Sequence, residues 1–213
     1  MTSPPPLRAV PARAPELFRR TLAFALDQHG GQTRKGSDIP YVSHLFQVAG
    51  LVLENGGDWE QSAAAMVHDA IEDVSGVTFE TIQRQFGERV ARIVRDCSDT
   101  LPGDTPGEKS PWMERKSRYL EHIGEAAPES LLVAACDKRH NLDALIADYR
   151  VQGPQTFERF NAPAEEQLWF YRQFALKTAE RLPERLRADL EALIAELGDI
   201  VVSKYPVSPP GDA

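Results

Sequence analysis

Cysteine is scarce: Cys97 and Cys136 are the only two in 213 residues. A disulfide framework is therefore set aside, and neither cysteine has a ligand partner nearby in the pattern of a thiolate metal site. Both read as buried free thiols on apolar helices, with a mutual disulfide as the alternative, and free thiols suit a reducing compartment. Positive charge is in deficit as well. With 24 Lys and Arg against 32 Asp and Glu, the net charge is −8, which disfavours DNA or RNA as a partner bound through many phosphate contacts. No continuous apolar run approaches the ~20 residues needed to cross a bilayer, and "MTSPPPLRAVPARAP" has no apolar stretch of signal-peptide length. The expectation is a cytoplasmic protein with no membrane partner. Short alternating β-branched runs bounded by turns are nearly missing, and no internal repeat is visible.

What is present is apolar residues at three- and four-residue spacing, which predicts an all-α chain. Helices are expected near residues 15–28, 43–55, 59–72, 79–86, 88–100, 111–126, 129–148, 163–181 and 183–202. Proline-rich ends at 1–13 and 205–213 read as flexible tails around one domain spanning 14–204. A chain of this length buries roughly 70% of its extended surface, so a metal here would serve chemistry rather than hold the fold together. The least regular internal stretches, 30–42 and 98–111, are candidates for binding loops.

One segment breaks the apolar pattern. "MVHDAIEDV" sets His68, Asp69, Glu72 and Asp73 among Ala63–Val67, Ala70, Ile71 and Val74. On a continuous helix His68 lies one turn from Glu72, and Asp69 one turn from Asp73, so the four share a face. Three carboxylates crowded near a core cost several kcal/mol unless a cation or hydrogen bonds offset them. Two readings stay open: a solvated acidic helix face, or a cation site.

Two other places bear on the choice. His44 stands alone on the apolar "YVSHLFQVAGLVL", and "LLVAACDKRHNLDALI" interrupts another apolar helix with Asp137, Lys138, Arg139, His140 and Asn141. Each alone fits a satisfied core residue. Together they describe three helices offering imidazole or carboxylate where an apolar stripe should continue, which is how helical bundles build internal metal sites. A set of His44, His68, Asp69 and Asp137 mixes nitrogen and hard oxygen donors without thiolate. It suits manganese or iron ahead of magnesium and zinc, with Mn2+ the first choice.

These residues resemble the HD-domain metal-dependent phosphohydrolases. The extension "HDAIED", followed by "TFETIQRQFGERVARIV" and later "DKRHN", resembles the hydrolase domain of the RelA/SpoT family over residues 15 to 180, and the absence of room for a synthetase domain points to its single-domain members, the small alarmone hydrolases. The resemblance implies a single HD-domain helical bundle with an internal metal site. It also implies hydrolysis of a nucleotide 3′-diphosphate, (p)ppGpp or (p)ppApp, with release of pyrophosphate. Glu72 and Asp73 correspond to the pair that orients or deprotonates water and passes a proton to the leaving oxygen. Arg34 and Lys35 match a segment beside base and phosphates, Asn141 a nucleotide-contacting asparagine, and Tyr171 an aromatic ligand neighbour. Solvated loop cations and a backbone-satisfying amide are the plain alternatives for the first three. Among the basic residues of "GEKSPWMERKSR", Arg115 is put forward as a 5′-phosphate contact, against a solvated helix face. Ala144 departs from the pattern of the multidomain relatives, which tend to carry a polar residue there. If that side chain bonds guanine, its loss weakens discrimination against adenine. Another HD-type nucleotide phosphohydrolase and a non-catalytic alarmone-binding regulator remain as alternatives. The oligomeric state is left open.

Overall fold

The computed structural model describes residues 15–100, 104 and 108–204. Among them the protein is all-α, and the tails expected at 1–13 and 205–213 lie outside the described residues, as do 101–103 and 105–107 of the second loop. Helices α1 (Glu16–His29), α2 (Val42–Glu54) and α3 (Trp59–Met66) are followed by the single turn α4 (Ala70–Asp73). Then come α5 (Phe79–Phe86), α6 (Glu88–Cys97), α7 (Trp112–Glu125) and the long α8 (Pro128–Gln152). A 3-10 segment, Gly153–Arg159, leads to α9 (Ala164–Thr178), and a second, Ala179–Arg181, to α10 (Glu184–Lys204). No helix among the described residues is long and apolar enough to cross a membrane.

Helices α3 and α8 form the centre: α3 packs on α1, α2, α6 and α8, and α8 packs also on α2, α6 and α10. The sequence of each explains this. Small alanines on α3 let neighbouring backbones approach from several sides, and Gln61–Met66 are all buried. On α8 the whole run Ser130–Lys138 is buried. A surface helix buries one stripe; these two bury most of their circumference, so polar residues within them face the interior. Around them Leu45, Ile82, Ile93, Ile123 and Phe174 are fully buried, each contributing about 1.5–3 kcal/mol by removal from water. Local signals fix the ends. Asp58 accepts from the backbone of Glu60 and Gln61 while Gln61 returns to the Asp58 backbone, a capping box opening α3. Gly87, at φ 95°, takes the left-handed conformation that divides α5 from α6.

The helix expected over 59–72 is not continuous. Val67 leaves helical geometry at φ −128° and ψ 14°, and α4 restarts only at Ala70. Consecutive side chains on an intact helix diverge by about 100°, so His68 and Asp69 could not address one point there. Stepping out of the helix lets them. Other differences are at ends: the 88–100 helix stops at Cys97, the 129–148 helix runs on to Gln152, and the 163–181 helix gives way to 3-10 after Thr178. The 30–42 loop is a small hairpin, with Arg34 N–H donating to Ile39 O (2.8 Å) and Tyr41 N–H to Gln32 O (2.9 Å). Gly36, at φ 73°, makes its tip.

Candidate metal centre and adjoining cavity

Four side chains from α2, the α3–α4 break and α8 meet in the interior. His44 Nε2 lies 3.4 Å from Asp69 Oδ2 and 3.2 Å from Asp137 Oδ1; His68 Nε2 lies 3.2 Å and 3.4 Å from the same two oxygens. Donors about 2.2 Å from a common ion and at right angles stand about 3.1 Å apart, close to these edges. Both Nε2 atoms are buried and have no hydrogen-bond partner. Orphaned nitrogens of this kind are costly, and here both are aimed at carboxylate oxygens. His44, His68 and Asp69 alone satisfy the spacing of a metal-holding group, and Asp137 Oδ1 extends it. The donor set fits a divalent cation.

Neighbouring groups orient each donor. His68 Nδ1 donates to Ala65 O at 2.8 Å, which fixes Nε2 as the nitrogen that faces the carboxylates and would offer its lone pair to a cation in place of a proton. His44 Nδ1 meets His140 Nδ1 at 2.8 Å. Burial first, then His44 and Arg34, push the His140 pKa down to about 3, so its ring is neutral. Tyr41 donates its hydroxyl to Asp69 Oδ2 at 2.5 Å. Asn141 Nδ2 donates to Asp137 Oδ1 at 2.6 Å, and Lys138 Nζ to Asp137 Oδ2 at 2.5 Å. Burial alone would lower the Lys138 pKa, but Asp137 holds it well above the usual lysine value. Burial alone would also favour neutral His68, yet Asp69 and Asp137 raise it to about 9. The centre therefore attracts positive charge strongly.

Glu72 and Asp73 follow on α4. Glu72 accepts from Asp99 N–H (3.0 Å) and from Lys109 Nζ (3.1 Å). Asp73 lies at the rim with Lys109 Nζ 3.8 Å away. Partial burial, then the charges of Asp69 and Glu72, push its pKa up to about 6.

A cavity of about 380 Å³ opens beside the centre, within the size range of small-molecule sites. Tyr41, Lys138, His140 and Asn141 line it, each one hydrogen bond from a proposed donor. Arg34, Lys35 and Tyr171 line it too, as does Ala144. Arg34 donates to Asn141 Oδ1 (2.8 Å), and its guanidinium lies 5.8 Å from the Tyr41 ring centre. Arg115 does not fit its expected place. It is buried, ion-paired with Asp99, and donates to Ser110 O (3.1 Å), while the next residue, Lys116, lines the cavity. On α7 the two side chains diverge by about 100°, and Asp99 pairs with both, Arg115 on its buried side. Tyr41, Lys138, His140 and Lys116 carry no assignment from sequence. Tyr41 precedes His44 by three positions, one helical turn, which is the signal that could have found it. Phe170 and Phe174 are buried, and Cys97 and Cys136 are buried and free as expected.

The HD-domain family model matches residues 21–163 of the chain. A Xenopus tropicalis protein named guanosine-3′,5′-bis(diphosphate) 3′-pyrophosphohydrolase is 36% identical over 124 residues, 56% of this chain and 64% of the relative. Its Danio rerio counterpart is 34% identical over 125 residues, 57% and 65% of the two chains. An Aquifex aeolicus protein of the same activity name is 43% identical over 132 residues, 61% of this chain but 18% of the relative. The chain thus spans less than two thirds of the length of each of these relatives. A solved structure described as a metazoan ortholog of SpoT that hydrolyses ppGpp superposes with TM-score 0.68 at 22% identity, covering 90% of this chain and 99% of that one. A Listeria monocytogenes structure gives 0.63 at 22%, covering 75% and 96%. At these identities the structural likeness is one of fold.

Proposed function

Because the chain belongs to the HD-domain family, we propose that it hydrolyses the 3′-diphosphate of a purine alarmone, (p)ppGpp or (p)ppApp, releasing pyrophosphate. One observation carries the reading. In a chain of net charge −8, the cavity beside the four-donor cluster is lined by five cations, Arg34, Lys35, Lys116, Lys138 and Arg159, against one carboxylate, Asp148. Such a lining concentrates positive potential where a polyanion of nucleotide size would sit. The activity names of the vertebrate and Aquifex relatives support the same substrate class.

His44, His68, Asp69 and Asp137 would hold the ion, and manganese suits two imidazoles with two carboxylates. When bound, a divalent ion acidifies water and neutralises phosphoryl charge. Glu72 and Asp73, on the turn that follows Asp69, orient the attacking water and take its proton. As the P–O3′ bond breaks, the ribose oxygen accepts a proton through the same pair and leaves as a hydroxyl. Arg34 offers a planar face to the purine, Lys35 meets phosphate oxygens, and Asn141 and Tyr171 form the adjoining wall. Ala144 on that wall makes no polar demand on the base, which admits adenine beside guanine. Buried free Cys97 and Cys136 accord with a reducing, cytoplasmic location.

Incubation with ppGpp, pppGpp, ppApp and ordinary nucleotides plus Mn2+, with products identified by mass, tests this. Pyrophosphate is expected together with a nucleoside that keeps its 5′-diphosphate, or its 5′-triphosphate from pppGpp, and carries a free 3′-hydroxyl. Orthophosphate or tripolyphosphate would assign a different HD-type activity, and tight binding without turnover a regulator.

A further inference from the structure

Cations and aromatic rings pair in two separate parts of the cavity. At the hairpin, Lys35 Nζ lies 5.9 Å from the Phe160 ring centre and Arg34 is bonded to Asn141. On α7 and α8, Lys116 Nζ lies 4.8 Å from the centre of Phe170, and Lys138 Nζ 4.9 Å from that of Tyr119. The hairpin group has a role in the reading above. The α7–α8 group adds charge there but is assigned no ligand contact.

Its charge is only partly matched. Asp99 faces two cations, Arg115 on its buried side and Lys116 at 2.7 Å, so the trio carries one net positive charge. Arg115 does not reach the cavity lining and Lys116 does, so the excess is presented there by Lys116. An ammonium has three donors; Lys116 meets one carboxylate oxygen of Asp99, and Lys138 one of Asp137. Donors remain on both for a ligand. The pair also lies on the acid side of the metal centre, because Lys138 bonds the proposed donor Asp137 and Asp99 gives its backbone N–H to Glu72.

We infer that Lys116 and Lys138 form an anion subsite for a terminal phosphate of the substrate, distinct from the hairpin residues that hold the nucleoside. The inference rests on the substrate class proposed above. Two phosphates share this chemistry: the distal one of the 3′-diphosphate, which departs in the pyrophosphate, and the end of the 5′-diphosphate. The Arg115–Asp99 pair is then the buried base that turns Lys116 toward the ligand, rather than a ligand contact itself.

Lys116→Gln isolates the subsite, because Arg115 continues to pair with Asp99 and Lys138 stays on Asp137. With guanosine 3′,5′-bis(diphosphate) and Mn2+, KM is expected to rise on the order of tenfold, the scale of one hydrogen bond to a charged group, with kcat nearly unchanged. Lys116→Arg should recover most of the loss. Guanosine 3′-diphosphate separates the sources: a penalty that persists assigns the departing pyrophosphate, and one that disappears assigns the 5′-diphosphate. A KM equal to wild type on both substrates, in a variant with unaltered circular dichroism, overturns the subsite. If wild type turns over neither of these nor adenosine 3′,5′-bis(diphosphate), the proposed function fails, and calorimetry with inorganic pyrophosphate decides the subsite separately. Affinity about tenfold weaker in Lys116→Gln supports it; equal affinity, or no binding by wild type, overturns it.

Discussion

His44 and His140 meet Nδ1 to Nδ1 at 2.8 Å, and one proton serves the pair. If His44 presents a bare Nε2 to a cation, its proton is on Nδ1 and His140 accepts it. His140→Phe keeps the ring volume and removes the acceptor. Mn2+ affinity, followed by electron paramagnetic resonance, is expected to fall about 10–100-fold, the usual effect of losing a ligand's orienting partner. His140→Gln, which offers a carbonyl to the same proton, should retain more affinity than Phe. Equal affinities in all three proteins would remove His140 from the site.

Asp69 and Glu72 separate by readout. Asp69→Ala is expected to lose Mn2+ binding and turnover together. Glu72→Gln should bind Mn2+ normally and lose at least about 100-fold in kcat, the lower range for a positioned acid or base. Turnover near wild type in Glu72→Gln would take it out of the mechanism.

Arg34→Ala is expected to raise KM roughly tenfold while leaving kcat within a few-fold, since its contribution is to binding in ground state and transition state alike. A fall in kcat at constant KM, measured by initial rates, would instead tie the Arg34–Asn141–Asp137 chain of hydrogen bonds to the chemical step.

Asp99 sets an acid limit on stability. Burial would raise its pKa, but Lys116 and then Arg115 hold it down at about 2, against 3.8 for a free aspartate. A carboxylate with a depressed folded-state pKa stabilises fully above its unfolded value and loses that contribution as pH falls through the folded one. The contribution, about 2 kcal/mol, should therefore be complete above about pH 5 and decline between about pH 4 and 2. Urea midpoints of wild type and Asp99→Asn should differ by a constant amount above that window and converge within it. A gap independent of pH down to 2 would contradict the pairing.

Removing metal with EDTA should lower the thermal midpoint, and Mn2+ should restore it in a concentration-dependent way, because a ligand bound only by the folded state stabilises by mass action. Scanning calorimetry across a Mn2+ series checks this; a midpoint indifferent to Mn2+ would leave the two orphaned imidazole nitrogens without their occupant.

The helices were legible because periodicity and boundary signals are local: Gly87 marks the division between α5 and α6 from within a few residues. The convergence of His44, His68, Asp69 and Asp137 was legible because each interrupts an apolar run. The break after Met66 was not, since "AAAMVHDAIED" is helix-compatible throughout and tertiary demands override propensity there. The fate of Arg115 was hidden for another reason. Charge alone does not reveal that Asp99, sixteen residues before Arg115, pairs with both adjacent cations, holding Arg115 in the interior while Lys116 reaches the cavity wall.

The interruption between α3 and α4 also governs how this chain can vary. Two donors and two acids sit within His68–Asp73, a stretch whose first two residues are turn and whose last four are helix. Inserting or deleting one residue there would turn the acids away from the donors, so the hexapeptide is held to a fixed length as well as to its side chains.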